Sequence, residues 1–281
     1  MTSTISTHLG GVHMTVPLAH DLVPGPSGSH SVVFLGSLGS DRSMWSAQVA
    51  GLADIATTVS VDVRGHGGTP VGDGPVTVEG LAADVIGLLD TLELSRVHLV
   101  GLSLGGAVSQ TIAALHPDRV STLTVLCSAA KFGDPEPWID RAGTVRRDGL
   151  ASMAEAVVGR WFTEDWAADH PDIVAGAVAM VSAVSDEGYA LCCEALSRFD
   201  SRPILGGIDA PTLVIAGDRD PATPPETMAV IADAVPNARL LVLSPAAHLA
   251  AVERADEVTA LLRDHVGSAV GSARSVGRTA P

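Results

Sequence analysis

The stretch at residues 96–117, RVHLVGLSLGGAVSQTIAALHP, decides the fold of this 281-residue chain. It begins with an apolar run typical of a buried strand, turns at small residues around Ser103, and continues with an apolar pattern typical of a helix. The turn, GLSLG, has the form Gly-x-Ser-x-Gly, in which the serine stands at the apex of a sharp strand-to-helix turn. Its hydroxyl would lie beside a helix N-terminus, whose free N–H groups favour an anion. The pattern predicts that Ser103 is a nucleophile.

The composition excludes several classes of protein. Hydrophobic residues make up 46% of the chain and charged residues 17%, which is typical of a globular protein with a large core. The formal net charge of −15 argues against a nucleic-acid partner, and no stretch is apolar for long enough to span a membrane. The 3 cysteines include the adjacent pair Cys192 and Cys193, and the N-terminus does not resemble a secretion signal. These features favour a reducing, cytoplasmic location.

Strands and helices alternate along most of the chain. The clearest helix is at residues 77–92, with Thr77 as its N-cap and apolar residues on one face. Strand–helix–strand alternation requires crossover connections, so we expect an α/β, doubly wound fold with a mostly parallel sheet flanked by helices. Besides the strand before Ser103 and weak strand material at 14–18, the predicted strands are 31–35, 57–63, 120–128, 212–216 and 239–243. The other predicted helices are 44–53, the one that ends at 116, 225–234 and 249–266.

The alternation lapses between residues 129 and 200, where the sequence predicts several helices without strands between them. We therefore expect an α/β core formed by residues 1–128 and 201–266, with residues 129–200 inserted as a helical lid. Residues 267–281, GSAVGSARSVGRTAP, are small, polar and unpatterned, and are expected to form a disordered tail.

A serine nucleophile needs a base, and ten histidines are available. His248 follows the strand at 239–243 and precedes a helix, so it should lie at the carboxyl edge of the sheet, where catalytic loops gather in open α/β folds. The alternative for His248 is a helix cap. His66, in the Gly-rich segment RGHGGTP at 64–70, is expected to hold its loop rather than to transfer a proton. The other histidines are expected to be structural or exposed.

The acid that orients the base should leave a strand at the same edge, between the serine and the histidine in chain order. The segment LVIAGDRDP at 213–221 offers two carboxylates. Asp218 directly follows the strand and could instead bond to loop backbone or to an arginine. Asp220 lies ahead of Pro221 in a turn that would aim it toward His248, so we predict Asp220 as the acid. The order serine, aspartate, histidine is that of a nucleophile-elbow hydrolase.

Two backbone N–H groups are expected to form an oxyanion hole. One is the N–H of Leu104, directly after the nucleophile, and the other is the N–H of Leu38, in the loop after the strand at 31–35. The sequence has no ligand spacing typical of a zinc site, and its Gly-rich loops lack both the Walker lysine and the pattern Gly-x-Gly-x-x-Gly. We therefore predict neither a metal nor a cofactor.

These features resemble the α/β-hydrolase family over residues 14–266, and within it the 3-oxoadipate enol-lactonases. The catalytic segments GLSLGGAVSQ, RGHGGTP and AGDRDPATPP occur in many hydrolases, and SLGSDRSMW at 37–45 adds to the likeness. The lid segments are more specific: PEPW at 135–138 with Arg141, RWFT at 160–163, and GYA at 188–190 with Cys192 and Cys193. The chain departs from the family pattern at Gly36, at Thr69 and at the pair Ala250-Ala251, none of which is a triad position.

The resemblance implies a hydrolase that opens 3-oxoadipate enol-lactone to 3-oxoadipate in the breakdown of aromatic compounds. Ser103 would attack the lactone carbonyl, His248 would act as base, and Asp220 would hold the imidazole. The ring would open to an acyl-enzyme and an enol, which becomes a ketone, and water would then hydrolyse the ester on the serine.

The resemblance also implies a small anionic substrate whose free carboxylate should meet an arginine. Arg141 and Arg160 in the lid are the candidates, with surface charges as the alternative reading of both. Trp138 and Trp161 would pack the lid or wall the pocket. Nothing in the sequence predicts an oligomeric state.

Two other hypotheses fit the same residues. The chain could be a different carboxylesterase, lactonase or cofactor-free haloperoxidase-like hydrolase with the same triad. It could also be a ligand-binding receptor on the same fold with slow hydrolysis. Assays on the enol-lactone and on simple aryl esters separate the enzymes from each other. An Asp220→Asn variant that loses signalling or partner binding but not turnover would favour the receptor.

Overall fold

The computed structural model describes residues 16–276, with the side chains of residues 16–268, and contains one seven-stranded sheet. The strand order is β1-β3-β2-β4-β5-β6-β7; β1 runs antiparallel to β3 and every other neighbouring pair is parallel. The strands are β1 (His20–Val23), β2 (His30–Leu35), β3 (Ala56–Val61), β4 (Val97–Leu102), β5 (Val120–Leu126), β6 (Thr212–Gly217) and β7 (Ala238–Leu243). The carboxyl ends of β2 to β7 therefore meet at one edge.

Helices connect the parallel strands. The α-helices within the described residues are α1 (Ser46–Leu52), α2 (Val78–Thr91), α3 (Leu104–Leu115), α4 (Pro135–Asp148), α5 (Ala154–Val158), α6 (Glu164–Asp169), α7 (Pro171–Ala183), α8 (Asp186–Arg198), α9 (Pro225–Ala234), α10 (Ala250–Glu253) and α11 (Ala255–Val276). Short 3-10 helices lie at Arg42–Trp45, Pro117–Arg119, Leu150–Met153 and Leu205–Gly207. Helix α2 packs against α3, α1 against α11, and α9 against β6 and β7.

The predicted α/β fold is confirmed, and local signals set several boundaries. The Thr77 hydroxyl oxygen caps α2 by accepting the N–H of Gly80 at 3.0 Å. Helix α3 ends at Leu115 because Pro117 cannot continue it. The first described strand begins at His20, after the weak strand material predicted at 14–18, of which residues 14 and 15 lie outside the described part.

Between β5 and β6 the chain forms α4 to α8 and no strand in the sheet, and α4 packs against α8. This helical segment covers most of the predicted lid at 129–200. The last helix, α11, runs from Ala255 to Val276. Residues 277–281 lie outside the described residues.

The core consists mainly of Val, Leu, Ile and Ala side chains, with a few aromatic residues such as Phe34 and Trp45. Strands β4 and β6 are buried along their whole length, as expected for parallel strands covered by helices on both sides. The strand ends near Ser103 are therefore rigidly held. No helix within residues 16–276 combines the length and apolar character that crossing a bilayer requires.

Candidate active site

Ser103 stands at a strained turn between β4 and α3. Its backbone has φ 55° and ψ −113°, a conformation that residues other than glycine rarely adopt. The turn closes so tightly that a Cβ at Gly105 would collide with the carbonyl oxygen of Leu35. Ser128 lies just after β5, and its hydroxyl donates to the carbonyl oxygen of Ser103 at 2.8 Å. These contacts hold the serine in its strained conformation.

Asp220 and His248 form a buried pair. The Nδ1–H of His248 donates to Oδ2 of Asp220 at 2.8 Å, and the Thr223 hydroxyl donates to the same oxygen at 2.6 Å. The other oxygen accepts the N–H groups of Ala222 at 2.8 Å and of Thr223 at 3.1 Å. Burial opposes ionisation, but His248 and these donors hold the pKa of Asp220 at about 2. A carboxylate at this position fixes the imidazole tautomer with Nε2 free to act as a base.

Asp218, the other carboxylate that the sequence offered, is bound elsewhere. It is exposed, accepts the Ser244 hydroxyl at 2.6 Å and accepts the N–H of Ala246 at 3.0 Å. The hydrogen bond from Ser244 lowers the pKa of Asp218. Asp218 thus braces the loop that leads to His248, whereas Asp220 touches the ring itself.

Ser103 and His248 line one cavity of about 370 Å³ beneath the lid. A cavity of this size suits a small molecule. No hydrogen bond joins the Ser103 hydroxyl to His248 within the described residues, and such bonds are often long before a substrate is bound. The structure therefore brings the three predicted triad residues to one place at the carboxyl edge of the sheet.

Of the two predicted oxyanion donors, Leu38 lines this cavity and Leu104 directly follows Ser103, which lines it too. Leu104 is the first residue of α3, where an N–H has no acceptor within the helix. Leu38 lines the cavity, and its N–H has no acceptor among residues 16–276. The N–H of Gly105 donates to the carbonyl of Gly36 at 3.0 Å, which joins the first turn of α3 to the loop that carries Leu38.

The lid supplies the opposite wall, with Trp138, Arg141, Arg160, Trp161 and Tyr189 among the lining residues. The guanidinium of Arg141 lies 5.0 Å from the centre of the Trp138 ring, a cation–π contact. Burial raises the pKa of Tyr189 to about 12. The hydroxyl therefore stays protonated at neutral pH.

Arg141 and Arg160 approach each other without a carboxylate between them. Within the described side chains, neither forms an ion pair with an Asp or Glu, although other arginines of this chain do. Arg160 reaches solvent, yet partial burial and the charge of Arg141 lower its pKa. The lid wall is therefore a positive surface without a counter-ion inside an acidic protein.

The two tryptophans differ in their contacts. The Trp138 Nε1–H donates to the Phe132 carbonyl at 2.7 Å, so this ring is fixed within the lid and is half-buried. Trp161 is buried, and its carbonyl accepts the N–H of Leu249 at 2.8 Å. Each ring packs the lid and also lines the cavity, so both roles expected from the sequence occur together.

Glu253 is a buried residue that the sequence analysis missed. It is 7% exposed; one carboxylate oxygen accepts the N–H of Thr163 at 3.1 Å and also the Thr163 hydroxyl, and the other accepts the N–H of Ala247 at 2.7 Å. Glu253 thus joins the lid to the residue before His248. Its place in a short helix gave no signal, whereas the donor Thr223, three residues after Asp220, fits a turn pattern that could have been recognised.

No group of three or more His, Cys, Asp and Glu side chains within the described residues is arranged to hold a metal ion. Cys127, Cys192 and Cys193 are buried and form no disulfide. Burial raises the pKa of all three thiols, so they remain protonated.

Comparison with known proteins gives consistent results. The model of the alpha/beta hydrolase family matches residues 23–261. The chain is 37% identical to 3-oxoadipate enol-lactonase 2 of Acinetobacter baylyi over 230 residues, 82% of this chain and 86% of that protein. The crystal structure of the enol-lactonase from Burkholderia xenovorans superimposes with a TM-score of 0.86 at 38% identity, covering 89% of this chain and 96% of that one. A malate-bound thermophilic esterase from Thermogutta terrifontis superimposes with a TM-score of 0.84 at 30% identity, covering 90% and 93%.

Proposed function

This chain belongs to the alpha/beta hydrolase family and is a hydrolase, and we propose that it opens 3-oxoadipate enol-lactone to 3-oxoadipate in the breakdown of aromatic compounds. The relatives named as enol-lactonases support the reaction. The two arginines of the lid wall support the assignment of this substrate, because both the lactone and its product carry a carboxylate.

The observation that carries this proposal is the position of Arg141 and Arg160. A protein of formal charge −15 repels an anionic substrate at long range, so the attraction has to be local. Both guanidinium groups line the cavity that contains Ser103, and neither is neutralised by a carboxylate of the described residues. A bound carboxylate would supply the missing counter-ion and accept charge-assisted hydrogen bonds.

The triad would open the ring in an acyl-transfer step. Ser103 Oγ attacks the lactone carbonyl while His248 Nε2 takes its proton, and Asp220 stabilises the imidazolium. The carbonyl oxygen becomes an oxyanion, which the N–H groups of Leu38 and Leu104 would stabilise by about 3 kcal/mol each. The ester bond of the ring then breaks.

The leaving group makes this ring opening favourable. An enolate leaves more readily than an alkoxide, and the proton held by His248 returns to it, so that a ketone forms within the same molecule. The acyl group remains on Ser103. His248 then takes a proton from water, whose oxygen attacks the acyl carbonyl and releases the second carboxylate of 3-oxoadipate.

The test compares the enol-lactone with a neutral ester. The purified chain should turn over the enol-lactone with a much higher kcat/KM than p-nitrophenyl butyrate, and Ser103→Ala should abolish both activities. Turnover of the aryl ester alone would refute the lactonase and favour a carboxylesterase. A carboxylesterase is the second candidate because the chain is similar to the malate-bound esterase, and malate is also a small carboxylate.

A further inference from the structure

His66 is a buried residue that none of the steps above uses. It is 0% exposed and lies in the loop after β3. Its Nε2 accepts the N–H of Gly39 at 3.0 Å, and its Nδ1 lies 2.9 Å from the carbonyl oxygen of Arg64. A backbone N–H can only donate and a carbonyl can only accept. The ring must therefore be the neutral tautomer with the proton on Nδ1.

Gly39 belongs to the loop at residues 36–40, which leaves β2 and carries the N–H of Leu38. The loop is held at its two ends: Gly36 accepts from the first turn of α3, and Ser40 donates its N–H to Ser37 at 3.1 Å. Between these ends, the bond from Gly39 to His66 is the contact that fixes the peptide plane directly after Leu38. Gly39 has φ +88°, which a residue with a side chain rarely adopts.

We propose that His66 is a positioning residue for the oxyanion hole. By accepting the Gly39 N–H, it prevents the peptide between Leu38 and Gly39 from rotating and so keeps the preceding N–H of Leu38 directed into the cavity. This inference rests on the proposed acyl-transfer chemistry of Ser103 but not on the identity of the ester. It assigns the RGHG segment a role in a loop 27 residues away.

The neutral state of His66 is part of this role. Burial lowers the pKa of His66, so the ring remains an acceptor at neutral pH. The oxyanion exists only in the transition states, so a displaced Leu38 N–H should reduce kcat and leave KM nearly unchanged. If His66 served only to stabilise the fold, its loss would reduce the amount of folded enzyme. The folded fraction would then keep the kcat of wild type.

The decisive variants are His66→Leu, which has no acceptor, and His66→Gln, whose amide oxygen can accept from Gly39. Kinetics with p-nitrophenyl butyrate keep the test valid even if the enol-lactone is not the substrate. We expect His66→Leu to lower kcat about 10- to 100-fold with KM within about threefold of wild type. His66→Gln should recover most of kcat. The matched control is His98→Leu, which removes another buried imidazole and should leave kcat within about threefold.

Equal losses of kcat in His66→Leu and His98→Leu, or a kcat for folded His66→Leu within threefold of wild type, would overturn the proposal. If His66→Leu does not fold, nitrogen NMR of the ¹⁵N-histidine-labelled wild-type chain decides the matter. An unprotonated Nε2 at neutral pH is the expected result for His66. A protonated Nε2 could not accept the Gly39 N–H and would contradict the proposal whatever the enzyme hydrolyses.

Discussion

The two walls of the cavity are built in opposite ways. On the sheet side, the carboxylate of Asp220 accepts four hydrogen bonds and is almost completely buried. On the lid side, Arg141 and Arg160 are partly exposed and have no carboxylate partner among the described residues. The carboxylate on the sheet side has its hydrogen-bond donors before a substrate arrives. The two arginines on the lid side gain a counter-ion only when an anion is bound. We infer that the reaction type is set by the sheet and the choice of substrate by the lid.

The largest effect should come from the sheet side. Ser103→Ala removes the nucleophile and should lower kcat about 10⁵- to 10⁶-fold for the enol-lactone and for p-nitrophenyl butyrate alike. Circular dichroism and the thermal midpoint should stay near wild type, because the elbow is held by backbone contacts. Substantial turnover by folded Ser103→Ala protein would mean that another group attacks the ester.

Asp220→Asn should lower kcat for both substrates by about 10⁴-fold. An amide can present its N–H₂ to His248 and so favour the wrong imidazole tautomer, and it no longer stabilises the imidazolium. The matched control is Asp218→Asn, two residues away on the exposed face of the same loop, which should stay within a few-fold of wild type. Equal losses of kcat in Asp220→Asn and Asp218→Asn would contradict the assignment of Asp220, rather than Asp218, as the acid that orients His248.

The lid side should separate the two substrates. Arg141→Gln and Arg160→Gln should each raise KM for the anionic lactone about 10- to 100-fold, the value of one or two charge-assisted hydrogen bonds. The KM for neutral p-nitrophenyl butyrate should change little. Arg147→Gln, on the exposed part of α4, removes one positive charge away from the cavity and is the control for the change in net charge. If both substrates lose affinity equally, the arginines shape the lid rather than bind a carboxylate.

The last effect concerns stability rather than catalysis and belongs to the sheet side. Burial, with the nearby charges of His30, His265 and Arg96, lowers the pKa of His98 on β4 from 6.5 to about 4. Between these values the unfolded chain binds a proton that the folded chain does not, so the free energy of unfolding falls as the pH falls. This loss is absent above pH 6.5 and reaches up to about 3 kcal/mol near pH 4. Urea unfolding of wild type and His98→Gln across this range measures it, and an identical pH dependence in both would contradict it.

Local sequence signals were sufficient for the parallel strands of the sheet and for the meeting of Ser103, Asp220 and His248 at one edge. The Gly-x-Ser-x-Gly turn locates Ser103, and the rule that parallel strands end at one edge brings Asp220 and His248 to the same place. Helix boundaries at Thr77 and Pro117 follow from capping and from the missing N–H of proline. Each of these features depends on a few neighbouring residues or on a simple topological rule.

The contacts that could not be predicted join residues far apart in the chain. His66 meets Gly39 across 27 residues, and Glu253 meets Thr163 across 90. Neither pair leaves a periodic or spacing pattern, because each depends on how the completed lid and loops pack.

The Glu253 carboxylate limits how freely the lid can be exchanged for another. A transplanted lid that lacks a hydroxyl and an N–H at the position of Thr163 would leave one oxygen of a buried carboxyl group without donors, at a cost of several kcal/mol. The same change would loosen Glu253, whose other oxygen accepts the N–H of Ala247 in the loop that holds His248. Chimeras that aim at a new substrate should therefore keep the 161–163 segment and vary α4, where Trp138 and Arg141 line the cavity.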